Sequence, residues 1–240
     1  MAWEDKIDKA YFRGQISHPS YTMPSPSQVK LIPRVRLMRL AKEHPRHFDV
    51  AFTGLDQASE GQVRQDIIQW ATSNGVKFQI PEKFAETLPR FKYLVNLDGV
   101  VAAFRMATLI GAGSVVLMQE SHTKEFFMGS LTPWVHYVPI NYSLSDLVSK
   151  IELLKANQTL AQEIARNGKE LWQRRLRRQD SWCYMWRTLR SIAALTSHNM
   201  TKSLHEERAA QHGRYPQRFE DFYGNMYHLS PQPQHTVTSH

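Results

Sequence analysis

The residues best suited to chemistry lie in Lys92-Tyr-Leu-Val-Asn-Leu-Asp-Gly-Val-Val-Ala-Ala-Phe-Arg105. There an apolar run ends at Asp98-Gly99 and small residues lead on to an arginine. In open α/β sheets, ligands bind beyond the carboxyl ends of the strands. A helix that starts at such an end aims unpaired N–H groups and a positive dipole end at the ligand, which favours an anion. Gly99 lets the chain turn, Ala102 and Ala103 let a diphosphate approach the backbone, and Arg105 adds a charge-assisted donor fork. The bland alternative is that these small residues only pack a helix against the sheet. Two more arginines converge on the same rim, because Arg13-Gly14 closes the first apolar run and Arg34 follows Pro33 at a helix start. Arg36, Arg39 and Lys42 continue from Arg34 as a solvated basic face. No Asp-x-Asp motif is present, so no metal site is expected. Arginines and a helix end would then neutralise a diphosphate leaving group in place of a divalent cation.

Such a rim requires a parallel sheet to carry it, and the hydrophobic pattern supplies one. Apolar runs alternate with helix-period segments, as in repeated βα units. Strands are expected at Ala10 to Arg13, Asp49 to Thr53, Tyr93 to Leu97, Ser114 to Met118 and His136 to Ile140. Helices are expected from Pro33 to about Glu43, from Ala102 to Ile110, from Ser145-Asp146 through Leu147, Ile151 and Leu154, and from about Leu160 to Arg178. Residues 15 to 32, with Pro19, Pro24 and Pro26, read as a long loop. From about Lys202 onward the periodicity stops and the sequence turns His-, Gln- and Pro-rich. The expected organisation is therefore an α/β domain over residues 1–200 and a disordered tail over 201–240.

Composition narrows the possible functions. With 240 residues, 42% of them hydrophobic, the chain can bury one sizeable core and is not a disordered polymer. No stretch offers the roughly 20 consecutive apolar residues of a membrane span. Lysine and arginine outnumber acids 30 to 22, which admits an anionic ligand. Arg174, Arg175, Arg177 and Arg178 have the spacing of a solvated helix face beside Trp172 and Leu176, so nucleic acid is not an expected partner. The single cysteine, Cys183, lies between Trp182 and Tyr184 and reads as buried; it excludes an intrachain disulfide. Asn141, Asn157 and Asn199 each open an Asn-x-Ser/Thr sequence.

Several blocks together resemble the CAP10-like glycosyltransferases of family ninety, which include the Rumi-type protein O-glucosyltransferases. They are Ala10-Tyr-Phe-Arg-Gly14, Phe91-Lys-Tyr-Leu-Val-Asn-Leu-Asp-Gly99, Ala103-Phe-Arg105, Gly113-Ser-Val-Val-Leu117, Glu125-Phe-Phe127, Pro133-Trp-Val-His-Tyr-Val-Pro139 and Cys183-Tyr184, all in family order. The resemblance implies a Rossmann-like parallel sheet with flanking helices, the C-terminal, donor-binding half of a GT-B fold. It implies inverting, metal-independent transfer of a sugar from UDP-glucose or UDP-xylose to a protein or glycan hydroxyl. The donor loop falls on Val100, Val101, Ala102, Ala103, Phe104 and Arg105, with Arg34 as a second donor contact. Arg13 and Gln15 lie beside it, Gln15 standing where Rumi-type enzymes have a serine, and Glu125 lies where many GT-B enzymes hold the ribose.

His136 and Trp134 belong to a family block but read as structural, as does Lys92, and Asp98 reads as shaping its turn. The family's catalytic base is an aspartate of the other half and has no counterpart here. The family partner of Cys183 lies in that half as well, and a second family disulfide is replaced by Pro89 and Ala112. The expectation is a fragment of an active glycosyltransferase, with no catalytic residue of its own and no cofactor, belonging to the endoplasmic reticulum lumen or secretory pathway although no signal peptide is visible. The alternative is a complete, non-catalytic nucleotide-sugar-binding or interaction module.

Overall fold

The computed structural model describes residues 1–17, 32–55, 65, 68–69, 71–79, 83–101 and 103–195. Five strands form one parallel sheet: β1 (Ile7–Ile16), β2 (Phe48–Leu55), β3 (Phe91–Asn96), β4 (Val115–Gln119) and β5 (Val138–Ile140), in the order β2-β1-β3-β4-β5. On the free edge of β2, Phe52 makes a parallel bridge to Phe78. Counting that bridge as a further edge position yields the 3-2-1-4-5-6 order of the Rossmann arrangement. The expected α/β fold class is therefore what the chain adopts.

Both faces of the sheet are covered, which is why the strands read as nearly unbroken apolar runs. On one face Phe12, Leu37, Phe52, Val95, Leu117, Ile151 and Ile164 belong to one core. It draws on α1 (Pro33–Glu43), α4 (Leu147–Ala156) and α5 (Gln158–Arg175). On the other face Tyr11, Phe91, Leu94, Met106, Leu109 and Val116 pack together. There Tyr11 stacks on Phe91 at 4.4 Å, beside the short helices α2 (Phe84–Thr87) and α3 (Met106–Gly111).

Helix boundaries follow local chemistry. Pro33 opens α1, where its missing N–H costs nothing. Asn157 caps α5 by accepting the Leu160 N–H at 3.1 Å. The helix expected to run to Arg178 stops at Arg175 because Leu176 leaves helical backbone geometry. A new helix, α6 (Arg178–Leu195), starts where Asp180 accepts the Arg177 N–H at 2.9 Å. Cys183 lies on α6 and is exposed, against the expectation of burial, because no residue of that helix is buried. Met1–Ser181 form one compact unit and the residues from Trp182 onward group separately. The expected tail at 201–240, the domain limit at 200 and the loop residues 18–31 lie outside the described residues.

One close approach controls how α5 lies on the sheet. A Cβ on Gly168 would stand 2.9 Å from the backbone oxygen of His136, an atom that cannot swing aside. Gly168→Ala gains helix propensity but forces helix and loop apart. We expect a net loss of about 1–2 kcal/mol, read from the urea denaturation midpoint.

Candidate functional site

Parallel strands deliver all their C-terminal ends to one rim. The crevice on that rim opens between β1 and β3, because the chain leaves β1 towards β2 and leaves β3 towards β4. Two arginines occupy it. Arg34, from the first turn of α1, is 5% exposed. Its Nε donates to Asp98 O at 2.9 Å, Nη1 to Gln15 O at 2.8 Å and Nη2 to Leu97 O at 3.1 Å. This one guanidinium therefore ties the end of β1 to the end of β3.

Arg105 reaches back from the far end of the following loop, and its Nη1 donates to Arg13 O. Its guanidinium carbon lies 5.3 Å from the Phe12 ring centroid and 6.0 Å from that of Phe84. Burial alone lowers its pKa, with no carboxylate among the causes. Both guanidiniums sit against glycine. A Cβ on Gly14 would meet Arg105 Nη2 at 2.8 Å, and one on Gly99 would meet Arg34 Nη2 and Ser17 Oγ, each at 2.9 Å.

The loop between β3 and α3 differs from its expected form. The sequence reading places a helix directly after Asp98-Gly99, from Ala102, yet α3 begins only at Met106 and has six residues. The Gly99 N–H instead donates to Val101 O at 3.0 Å, and Met106 N–H donates to Ala103 O at 3.1 Å, so the segment coils before it turns helical. The anion-receptive character of the rim thus rests on the arginines, not on a helix dipole. Along this loop Val100 is half-buried, Ala103 is buried, and Val101 and Phe104 are exposed. Ala102 lies outside the described residues.

The remaining candidates divide. Arg13 turns away from the crevice, and its Nη2 contacts Asp49 Oδ1 at 2.6 Å and Gln79 Oε1 at 3.0 Å, so only its carbonyl serves the rim. Gln15 likewise contributes its carbonyl, with its side chain exposed. Glu125 lies in the segment after β4. Its Oε1 is buried without a hydrogen-bond partner, and burial raises its pKa. Lys92 binds Gln158 Oε1 at 2.8 Å, and His136 Nδ1 accepts the Thr132 N–H at 2.9 Å, as structural residues do. Asp98 shapes its turn, with its N–H on Gln119 Oε1.

Sequence reading missed Gln119, which is 1% exposed and also donates to Tyr142 O at 2.9 Å, linking the ends of β3, β4 and β5. A glutamine closing an apolar run was the available signal. It also missed Ser17, which is buried at the end of β1.

Two cavities lie away from this rim. One, of about 1110 Å³, runs between α1 and β2. The other, of about 670 Å³, brings together Lys6, Pro89 and Ala112. Burial pulls the Lys6 ammonium down to about 8, and it donates to Pro89 O and Ser114 Oγ. Among the described residues no cluster of three or more His, Cys, Asp or Glu could hold a metal.

Fold and rim define the class, a doubly wound α/β domain whose switch point is cationic. The model of glycosyl transferase family 90 matches residues 1–212, and the chain belongs to that family. Protein O-glucosyltransferase 1 of Rattus norvegicus is 31% identical over 202 residues, covering 83% of this chain and 45% of the relative. Protein O-glucosyltransferase 3 of Homo sapiens is 32% identical over 192 residues, covering 80% of this chain and 33% of the relative. The chain thus spans less than half the length of these relatives. Among solved structures, the C-terminal domain of the group 1 glycosyl transferase LpcC from Francisella tularensis aligns with a TM-score of 0.45 and 12% identity, over 70% of this chain and 85% of that one. TarM aligns with a TM-score of 0.48 and 19% identity, over 77% of this chain and 35% of that one.

Burial of Glu125 has a stability cost with a definite sign. Its folded-state pKa is raised, so it contributes stability that is full below the unfolded value near 4.5 and is lost as pH rises through the folded value. Glu125→Gln should therefore melt higher than the parent at neutral pH, with the two curves converging as the pH approaches about 4. Thermal melts across that range read the difference, and a melting temperature equal to the parent's at neutral pH refutes it.

Proposed function

We propose that this chain binds the UDP-sugar donor of a protein O-glucosyltransferase, as the donor half of a GT-B enzyme that transfers glucose or xylose to a hydroxyl of a protein or glycan. The observation that carries this reading is Arg105. It is a half-buried guanidinium, its pKa lowered by burial, with the Phe12 and Phe84 ring centroids at 5.3 Å and 6.0 Å, a carbonyl as its hydrogen-bond acceptor and no carboxylate among the described residues. A half-buried charge without a counter-charge carries part of its desolvation cost, which a diphosphate would offset. Arg34 lies at the same crevice, and Val100, Val101, Ala103 and Phe104 form the loop between. Glu125, with a buried oxygen unpaired, suits the hydroxyls of a ribose. Membership of family 90 and the names of the relatives support a glucosyl donor over other nucleotides.

In the reaction the acceptor oxygen attacks the anomeric carbon, the bond from that carbon to the β-phosphate oxygen breaks, and a base takes the hydroxyl proton. UDP leaves with its new charge opposite the arginines, the electrostatic part of the catalysis. The resemblance assigns the base to the other half of the enzyme, so the residues here bind and stabilise the leaving group. Attack from the face opposite UDP inverts the anomeric centre. The resemblance to the Rumi-type enzymes favours the endoplasmic reticulum lumen or secretory pathway as the location of this activity.

Isothermal titration of the 240-residue chain with UDP and UDP-glucose tests the reading. We expect saturable binding that EDTA leaves unchanged and that Arg105→Ala weakens by about tenfold or more, since a charged acceptor loses its donor. Unchanged affinity in Arg105→Ala overturns it.

A further inference from the structure

A second set of cations lies at the opposite end of the sheet from the arginine rim. Lys6 stands just before β1, and Pro89 and Ser114 stand just before β3 and β4, so the three meet where the strands begin. Lys6 is 7% exposed, and its ammonium donates to Pro89 O at 2.7 Å and to Ser114 Oγ at 3.0 Å. Those two bonds explain why a lysine ties these strand ends together. They leave its third N–H without an acceptor among the described residues. Lys6 also lines the cavity of about 670 Å³, whose charged side chains are Lys6, Arg166 and Lys169 against the single carboxylate of Glu163.

The charges of that cavity are not balanced from within. Arg166 has Glu170 at 3.7 Å. Lys169 has no ion pair among the described residues, and its stem lies over Gly113, the neighbour of Ser114. Burial, and then the charge of Lys169, pull the Lys6 ammonium down to about 8, and no carboxylate offsets them. The flexible stem of a lysine lets its ammonium swing out into water. Holding it beside a buried ammonium costs free energy, and an anion in the cavity would turn that repulsion into attraction. We infer that the cavity at the start of β1, β3 and β4 binds a tetrahedral oxyanion, phosphate or sulfate, held by the ammoniums of Lys6 and Lys169. Ammoniums are compact charges with rotatable donors and need no planar partner, which suits such an ion. The two sites share no residue, so this inference stands apart from the donor reading.

Acylation of the lysines by acetic anhydride, read residue by residue by mass spectrometry, tests this on the 240-residue chain at neutral pH and fixed ionic strength. In chloride alone Lys6 should react. Inorganic phosphate or sulfate, by holding its ammonium charged, should slow it saturably by about fivefold or more, while the exposed Lys83 changes by less than about twofold. Lys169→Gln should lose most of that protection, and Arg105→Ala should keep it. Lys169 is exposed, so its replacement leaves the fold intact, which a melting temperature matched to the parent's confirms. Equal acylation of Lys6 in phosphate, sulfate and chloride overturns the inference, as does protection that survives in Lys169→Gln. A Lys6 that stays unreactive in chloride overturns it too, because a cavity closed to the reagent is closed to the ion. Failure of the parent chain to bind UDP counts against the donor reading and leaves this inference standing.

Discussion

The rim depends on the hydrogen bonds of Arg34 across the crevice between β1 and β3. Parallel strands that diverge to opposite sides leave a gap at the switch point, with carbonyls at their ends that no neighbouring strand can satisfy. Arg34 fills the gap with donors, taking Gln15 O from one strand end and Leu97 O and Asp98 O from the other. A planar fork presents its donors to several acceptors in one fixed plane, which the point charge of a lysine does not. Pro33 fixes the first turn of α1, and so the position from which Arg34 departs. Gly99 leaves the guanidinium room to lie flat against the backbone. Gln119 then carries the restraint outward, holding Asp98 N–H and Tyr142 O. The ends of four strand-to-loop junctions are therefore not independent.

Arg13, Arg34 and Arg105 look alike in the sequence, and their surroundings separate them. Arg13 has Asp49 at 2.6 Å and is a structural ion pair at the β1–β2 seam. Arg34 is spent on carbonyls. Arg105 has aromatic rings and one carbonyl, so its charge is the one least compensated by described neighbours. The difference arises from strand alternation. Consecutive side chains of β1 point to opposite faces, so Arg13 goes to one side while Phe12 and Gly14 present a ring and a bare backbone to Arg105.

The sheet was legible in the sequence because its signal is local. Runs such as Tyr93–Leu97 and Ser114–Met118 needed only composition and length, and the strands fall within a few residues of them. The start of α3 was not legible, since small residues after Gly99 suit a coil as well as a helix and only the Gly99–Val101 bond decides. Gln119 was missed for another reason. Its role comes from partners distant in the chain, Asp98 lying 21 residues away, and polar spacing carries no trace of such pairings. Cys183 was misread because flanking Trp182 and Tyr184 suggest a core, whereas α6 buries none of its residues.

Two groups of opposite sign, each without a counter-charge among the described residues, give the proposed function its strongest support. Glu125 keeps a buried oxygen without a partner, and Arg105 keeps a half-buried guanidinium without a carboxylate among the described residues. Selection for stability alone would bring such groups together or replace both, because each carries a desolvation cost that pairing would reduce. No ion pair joins them among the described residues. Keeping the acceptor and the donor apart is worthwhile when one molecule presents hydroxyls to the first and an anion to the second, and a sugar nucleotide has both on a single frame. Under the proposed function, the unliganded rim is less stable than its own residues would permit, a deficit that a bound sugar nucleotide would offset.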